Sequence, residues 1–249
     1  MNVELRMIAR PSPNHDARPQ GTPVDILLLH YTGMRTAEDA LRRLTDPEAK
    51  VSAHYTIDED GTIYAHVDEL RRAWHAGVSH WAGDTNINAC SIGIELVNPG
   101  HEFGYRDFPS AQIQALIEIA HGILARHPIP PERVLGHSDV APARKQDPGE
   151  RFPWATLAKQ GIGLWPSGVA PRRGQAMRRG TANPAVEALQ QKLRRYGYGL
   201  SATGQYDEET SLVVAAFQRH FRQSAVSGEA DDETLALLDN LLALAERAS

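Results

Sequence analysis

Two histidines and an aspartate stand at positions suited to chemistry. His30 closes the apolar run DILLLH (residues 25–30), where a buried strand meets a loop. His137 follows Gly136 after the short run RVLG, and Asp147 comes ten residues later in the segment VLGHSDVAPARKQDPGERFPW. That segment is too rich in Pro, Gly and Ala for a long helix or strand and reads as a loop that presents side chains. Strand ends in open α/β sheets are where sites gather. Two neutral imidazoles and one carboxylate, with a fourth position left to water, form a common ligand set for catalytic zinc. Zinc so held lowers the pKa of a bound water from about 16 to roughly 7 and polarises a carbonyl oxygen, which hydrolysis of an unreactive amide requires. Such a reaction also needs a general base and a cation near the developing oxyanion. Glu95 and Lys145 are the candidates. A carboxylate inside the apolar run SIGIELV needs a reason to be there, whereas a lysine in the polar stretch PARKQD is ordinary and its spacing alone assigns it nothing.

The elements that would position these residues can be read from periodicity. The runs VDILLLHYT (24–32), AHYTIDEDGTIYAHV (53–67) and CSIGIELV (90–97) look like strands, and AEDALRRL (37–44) and SAQIQALIEIAHGILARH (110–127) like helices. Short strands among helices imply an α/β layer structure. ILLL before His30 reads as a central strand covered on both faces, and Asp-Gly between two β-branched and aromatic runs in TIDEDGTIYAHV predicts a hairpin. Ten of the eleven histidines fall within residues 15–137.

After about Trp165 the stretch PSGVAPRRGQAMRRGTANP reads as a linker. Beyond it, NPAVEALQQKLRRYGY, DEETSLVVAAFQRHF and DDETLALLDNLLALAERA carry apolar residues at helical spacing, which predicts a small three-helix bundle. The expected division is residues 1–165, a linker at 166–182, and 183–249. Within the bundle the pattern G-x-x-D-x-E-T occurs at Gly204 and again at Gly228, 24 residues on. Each copy pairs a turn glycine with an Asp able to cap the next helix, so two well-capped helices account for the echo.

Bulk properties narrow the function. With 249 residues, 41% hydrophobic and 23% charged, the chain can bury a sizeable core without disulfides. A net charge of −5 disfavours a general nucleic-acid or anionic-membrane binder. The one cysteine, Cys90, leaves any metal to His and acidic ligands and is expected to be a buried packing residue. The N-terminal stretch has no apolar leader core, and no run approaches the roughly 18 apolar residues of a membrane helix. The sequence as given therefore reads as cytoplasmic, with a periplasmic location the alternative if a leader has been removed.

The segments LLLHYTG, VSAHYTIDEDGTIY, AWHAGVSHWAG, NACSIGIELVNPG and VLGHSDVAPARKQDPG, in this order over roughly residues 20–155, resemble the zinc-dependent N-acetylmuramoyl-L-alanine amidases of the type 2 family, relatives of peptidoglycan recognition proteins. The C-terminal stretch from ANPAVEALQQKLRRYGY onward resembles a type 1 peptidoglycan-binding domain. The resemblance implies a central mixed sheet flanked by helices and one Zn2+ per chain held by His30, His137 and Asp147. It further implies Glu95 as general base, Lys145 steadying the oxyanion, and Trp74, His75 and Asn88 lining a glycopeptide groove. His54 also matches a family histidine, with a structural role beside the cleft as the competing reading. The expected partners are peptidoglycan or anhydro-muropeptide fragments, met by a monomer. Two rivals stand against amidase activity: a non-catalytic peptidoglycan sensor, and a zinc peptidase cutting within the stem peptide.

Overall fold

The computed structural model describes residues 6–167 and 176–248; much of the predicted linker, residues 168–175, lies outside them. Among the described residues eight strands run in chain order: β1 (Met7–Ala9), β2 (His15–Ala17), β3 (Ile26–Tyr31), β4 (Tyr55–Ile57), β5 (Ile63–Ala65), β6 (Arg71–Ala73), β7 (Ser91–Leu96) and β8 (Val134–Gly136). Six of them form one sheet in the order β1-β5-β4-β7-β3-β8, and β2 pairs with β6 in a small second sheet. Only β4 and β5 run antiparallel within the large sheet. They are the predicted hairpin, closed by Asp58 and Thr62, with Gly61 at φ 87°. The helices are α1 (Ala37–Thr45), α2 (Ile87–Cys90), α3 (Gly100–Phe103), α4 (Ser110–Arg126), α5 (His137–Val140), α6 (Trp154–Lys159), α7 (Pro184–Tyr196), α8 (Glu208–Phe221) and α9 (Asp232–Ala248).

Strand β3 is central, and its alternation sorts the sheet into two faces. Leu27 and Leu29, with Ile92, Ile94 and Leu96 of β7, pack against Ile113, Leu116, Ala120 and Ile123, which recur at helical spacing along α4. Each buried Leu or Ile among them stabilises the fold by about 1.5–3 kcal/mol. On the opposite face Ile26 and Leu28 pack with Trp81, Ile87 and Leu135, and this cluster continues into Val186, Tyr198, Phe217 and Phe221 of the C-terminal helices. The periodicity thus gives the three helices of the bundle, and their apolar cluster runs on without a break into this face of the sheet.

Two further differences from expectation are local. The segment after Leu135 is not loop throughout, because β8 ends at Gly136 and His137 opens the helical turn α5. The N-terminal stretch, read only as lacking an apolar leader core, supplies β1 and β2; three-residue strands are too short to display alternation.

Candidate active site

Register brings the chemistry together on the second face of the sheet. Parallel pairing of β3 with β7 sets Ile26 beside Ser91, Leu28 beside Gly93 and His30 beside Glu95. The two catalytic candidates are therefore neighbours at the strand ends, pointing the same way. His137, at the start of α5, and Asp147 complete the group, and Ser138 N–H donates to the Asp147 carbonyl at 2.9 Å, tying the turn to the loop. The atoms His30 Nδ1, His137 Nδ1 and Asp147 Oδ2 lie 2.9, 3.1 and 3.1 Å from one another, and all three residues are buried.

The surrounding hydrogen bonds fix the proton positions on both rings. His137 Nε2 is 3.0 Å from the Ala76 carbonyl, which can only accept, so the proton sits on Nε2 and Nδ1 carries a lone pair. For His30 the chain is longer. Ser91 O–H donates to the Ile87 carbonyl at 2.6 Å, so the Ser91 oxygen accepts from His75 Nε2–H at 3.3 Å. His75 Nδ1 then accepts from His30 Nε2–H at 3.1 Å, which leaves His30 Nδ1 unprotonated. Burial, followed by the neighbouring His137, lowers the His30 pKa to about 4, consistent with a neutral ring. Asp147, buried beside the two rings, supplies the third donor atom through Oδ2.

Three lone pairs converging at about 3 Å repel one another unless a cation lies among them. Ligands about 2.0–2.1 Å from a tetrahedral zinc ion stand roughly 3.3 Å apart, so the donor set fits zinc in type and spacing. Glu95 sits in an unusual state beside it. Its Oε2 is buried with no hydrogen-bond partner. Burial first, then the charge of Asp147, raises its pKa well above the ordinary value, opposed by Lys145. Glu95, Lys145, His137 and Asp147 all line one cleft of about 270 Å³, with Tyr31 and Arg43 on its walls.

Of the remaining groove candidates only His75 reaches the cleft. His75 borders the cleft but is 6% exposed and engaged on both ring nitrogens. Its ring occupies the space above β7 where a side chain at Gly93 would stand, since a Cβ there would approach it to 2.5 Å. Asn88 does not line the cleft; its Oδ1 accepts from the backbone N–H of His75 at 3.0 Å and of Ala76 at 2.8 Å. One amide thus holds the segment that supports both metal-site histidines. His54 is fully buried and away from the cleft, accepting from Gly93 N–H at 2.9 Å and facing the Arg71 carbonyl, so it belongs to the structural frame. Trp74 is half-buried, also outside the cleft lining, with its indole N–H directed at Asp16. Cys90 is buried, as expected of a packing residue. Sequence reading missed Ser91, Gly93 and Arg144, whose guanidinium donates to the Ala76 and Val78 carbonyls at 2.8 and 2.7 Å. Gly93 inside an apolar strand was the one available signal of a close approach.

The N-acetylmuramoyl-L-alanine amidase family model matches residues 20–150. The chain belongs to this family. It hydrolyses the amide bond between N-acetylmuramic acid, or its 1,6-anhydro form, and the L-alanine of the peptidoglycan stem peptide, in cell-wall recycling or remodelling. A peptidoglycan binding domain model matches residues 182–238 of the amidase. The N-acetylmuramoyl-L-alanine amidase AmiD of Escherichia coli strain K12 is 41% identical to it over 231 residues, covering 88% of this chain and 82% of AmiD. The structure of E. coli AmiD with anhydro-N-acetylmuramic acid-L-Ala-D-γ-Glu-L-Lys superimposes with a TM-score of 0.77 at 39% identity, covering 91% of this chain and 92% of that one. AmpDh3 of Pseudomonas aeruginosa, in complex with anhydromuramic pentapeptide, gives 0.78 at 34% identity, covering 93% and 96%. Among the described residues of the amidase no helix is long and apolar enough to cross a membrane.

Proposed function

We propose that the amidase works with one zinc ion per chain, held by His30 Nδ1, His137 Nδ1 and Asp147, and that Glu95 and Lys145 perform the proton and charge chemistry. The observation that carries this reading is the convergence of three lone pairs within 3.1 Å, the two on the imidazoles fixed by the hydrogen bonds behind them. Bound there, zinc would polarise the scissile carbonyl and make a water acidic near neutral pH.

The chain's own groups account for the rest. Glu95, unpartnered at Oε2 and adjacent in register to His30, takes a proton from the attacking water and returns it to the leaving L-alanine nitrogen. A raised pKa suits a group that must both accept and donate near neutral pH. Lys145 presents a positive charge to the same cleft, where it favours the developing oxyanion and holds down the Glu95 pKa. His75 and Asn88 hold the metal-site histidines in place, while the cleft walls at Tyr31 and Arg43 border the glycopeptide; Trp74, outside that lining, could meet only its outer part. Every one of these residues comes from one chain, so a monomer suffices.

The peptidoglycan-binding domain favours the wall or its fragments as partner. A cytoplasmic enzyme would meet soluble anhydro-muropeptides, and a periplasmic one intact wall; fractionation of producing cells separates the two. The reaction is tested by mass spectrometry of products from a soluble anhydro-muropeptide and from sacculi. Free stem peptide beginning with L-alanine is expected. Fragments cut inside the stem would identify a peptidase, and tight binding without cleavage would identify a sensor.

A further inference from the structure

The C-terminal helices reach the metal site through one buried carboxylate. Asp139, two residues beyond His137 and 1% exposed, accepts three hydrogen bonds. Gly136 N–H donates to Oδ2 at 2.8 Å and closes the turn that carries His137. The other two donors come from the far end of the chain: His220 Nδ1–H, on α8, reaches Oδ2 at 2.7 Å, and the Tyr198 hydroxyl, just beyond α7, reaches Oδ1 at 2.7 Å. His220 is 3% exposed, and its ring stacks on Trp154 with centroids 3.7 Å apart. It is thus gripped by the amidase region on one face as well as at its nitrogen.

With only the Gly136 bond, the carboxylate could pivot about its own axis. The Tyr198 and His220 bonds fix both oxygens, and so fix the turn. That turn also holds the Asp147 carbonyl through Ser138 N–H, so a shift in it would move two metal-site residues together. Gly136 leaves little slack, since a Cβ there would meet Pro148 Cδ at 2.8 Å.

We infer that Tyr198 and His220 are positioning residues for the metal centre: they set the helical turn from which His137 presents Nδ1, making the peptidoglycan-binding region a structural part of the catalytic unit. The inference rests on the zinc reading above.

The test uses the full chain with Tyr198→Phe, His220→Leu and His220→Asn, the last placing an amide N–H where Nδ1–H stood. Zinc affinity is measured by competition with a chromophoric chelator, the ligand field by the visible spectrum of the cobalt-substituted protein, and kcat and KM on soluble anhydro-muropeptide. Outer-sphere partners of metal ligands alter affinity by about 10–100-fold. His220→Leu should fall near the low end, about tenfold, with an altered cobalt spectrum, a lower kcat and an unchanged KM. Tyr198→Phe should show the same changes at smaller size, and His220→Asn should recover most of the loss. Zinc affinity and cobalt spectra equal to wild type in folded variants would overturn the inference. Tyr198→Phe, which removes a single oxygen, decides the matter should His220→Leu not fold. Wild-type protein that binds no zinc would instead defeat the reading beneath it.

Discussion

The C-terminal helices and the metal site satisfy their buried polar groups in opposite ways. Within the helical region, apart from the Tyr198 and His220 bonds to Asp139, the partners are close in sequence. Gln190 donates to Thr210 Oγ1 and the Gln205 carbonyl and accepts from Thr203 and Gly204 N–H. Gln218 repeats this with Thr234, the Glu229 carbonyl, and Ser227 and Gly228 N–H. Asp207 and Asp231 then cap α8 and the start of α9 through Thr210 and Thr234 N–H. At the metal site the same kind of satisfaction spans 45 residues from His30 to His75, 61 from Ala76 to His137 and 117 from His30 to Asp147. Local networks leave a repeated trace in the sequence, here G-x-x-D-x-E-T. Long-range networks leave single residues with no pattern.

Substitutions can break or sharpen this contrast. The largest effect belongs to Glu95→Gln, which keeps the shape of the side chain but removes the base. Turnover should fall about 10²–10⁴-fold with zinc still bound, as read by metal analysis beside product assays. Next is His75→Ala, which cuts the long-range chain behind His30. Zinc affinity should weaken about 10–100-fold, and Asn88→Ala should fall at the lower end of that range, both read by chelator competition. Gln190→Ala and Gln218→Ala attack the local networks instead. Each leaves buried backbone groups unpaired and should destabilise the fold by about 1–3 kcal/mol in urea melts, with zinc affinity unchanged.

The smallest effect is a pH dependence far from the cleft. Glu69 is held down to about 2; burial alone would raise it, but Arg126, Tyr55 and His127 together outweigh that. A carboxylate with a depressed folded pKa contributes stability that is complete above its unfolded value near 4.5 and lost as pH falls toward 2. Glu69→Gln should lower stability at neutral pH and flatten the acid limb between those values, as followed by thermal melts across pH.

Much of the site was legible because its chemistry is carried by residue types at strand ends. His30 after ILLL and Glu95 inside SIGIEL were legible from burial alone, and β3–β7 register makes them neighbours. His137 was legible as a strand end, but not as the first residue of a helical turn, because HSDV is too short to show a period. The supporting groups were hidden. Asn88 and His75 carry no local signal of what they hold, and as members of a family motif they suggested a groove lining rather than a brace. The C-terminal region was legible as three helices but not as a sharer of the core. Trp81, 1% exposed and packed edge-on to Tyr196 and Tyr198, sits in a stretch whose sequence gives no hint of those partners.

The central claim is that His30, His137 and Asp147 form a zinc site, and metal content tests it most directly. Equilibrium dialysis against zinc followed by elemental analysis, on the full chain and on His137→Ala, should give one zinc per wild-type chain and a large loss of bound zinc in the variant. A His137→Ala protein that keeps one tightly bound zinc and full activity would contradict it.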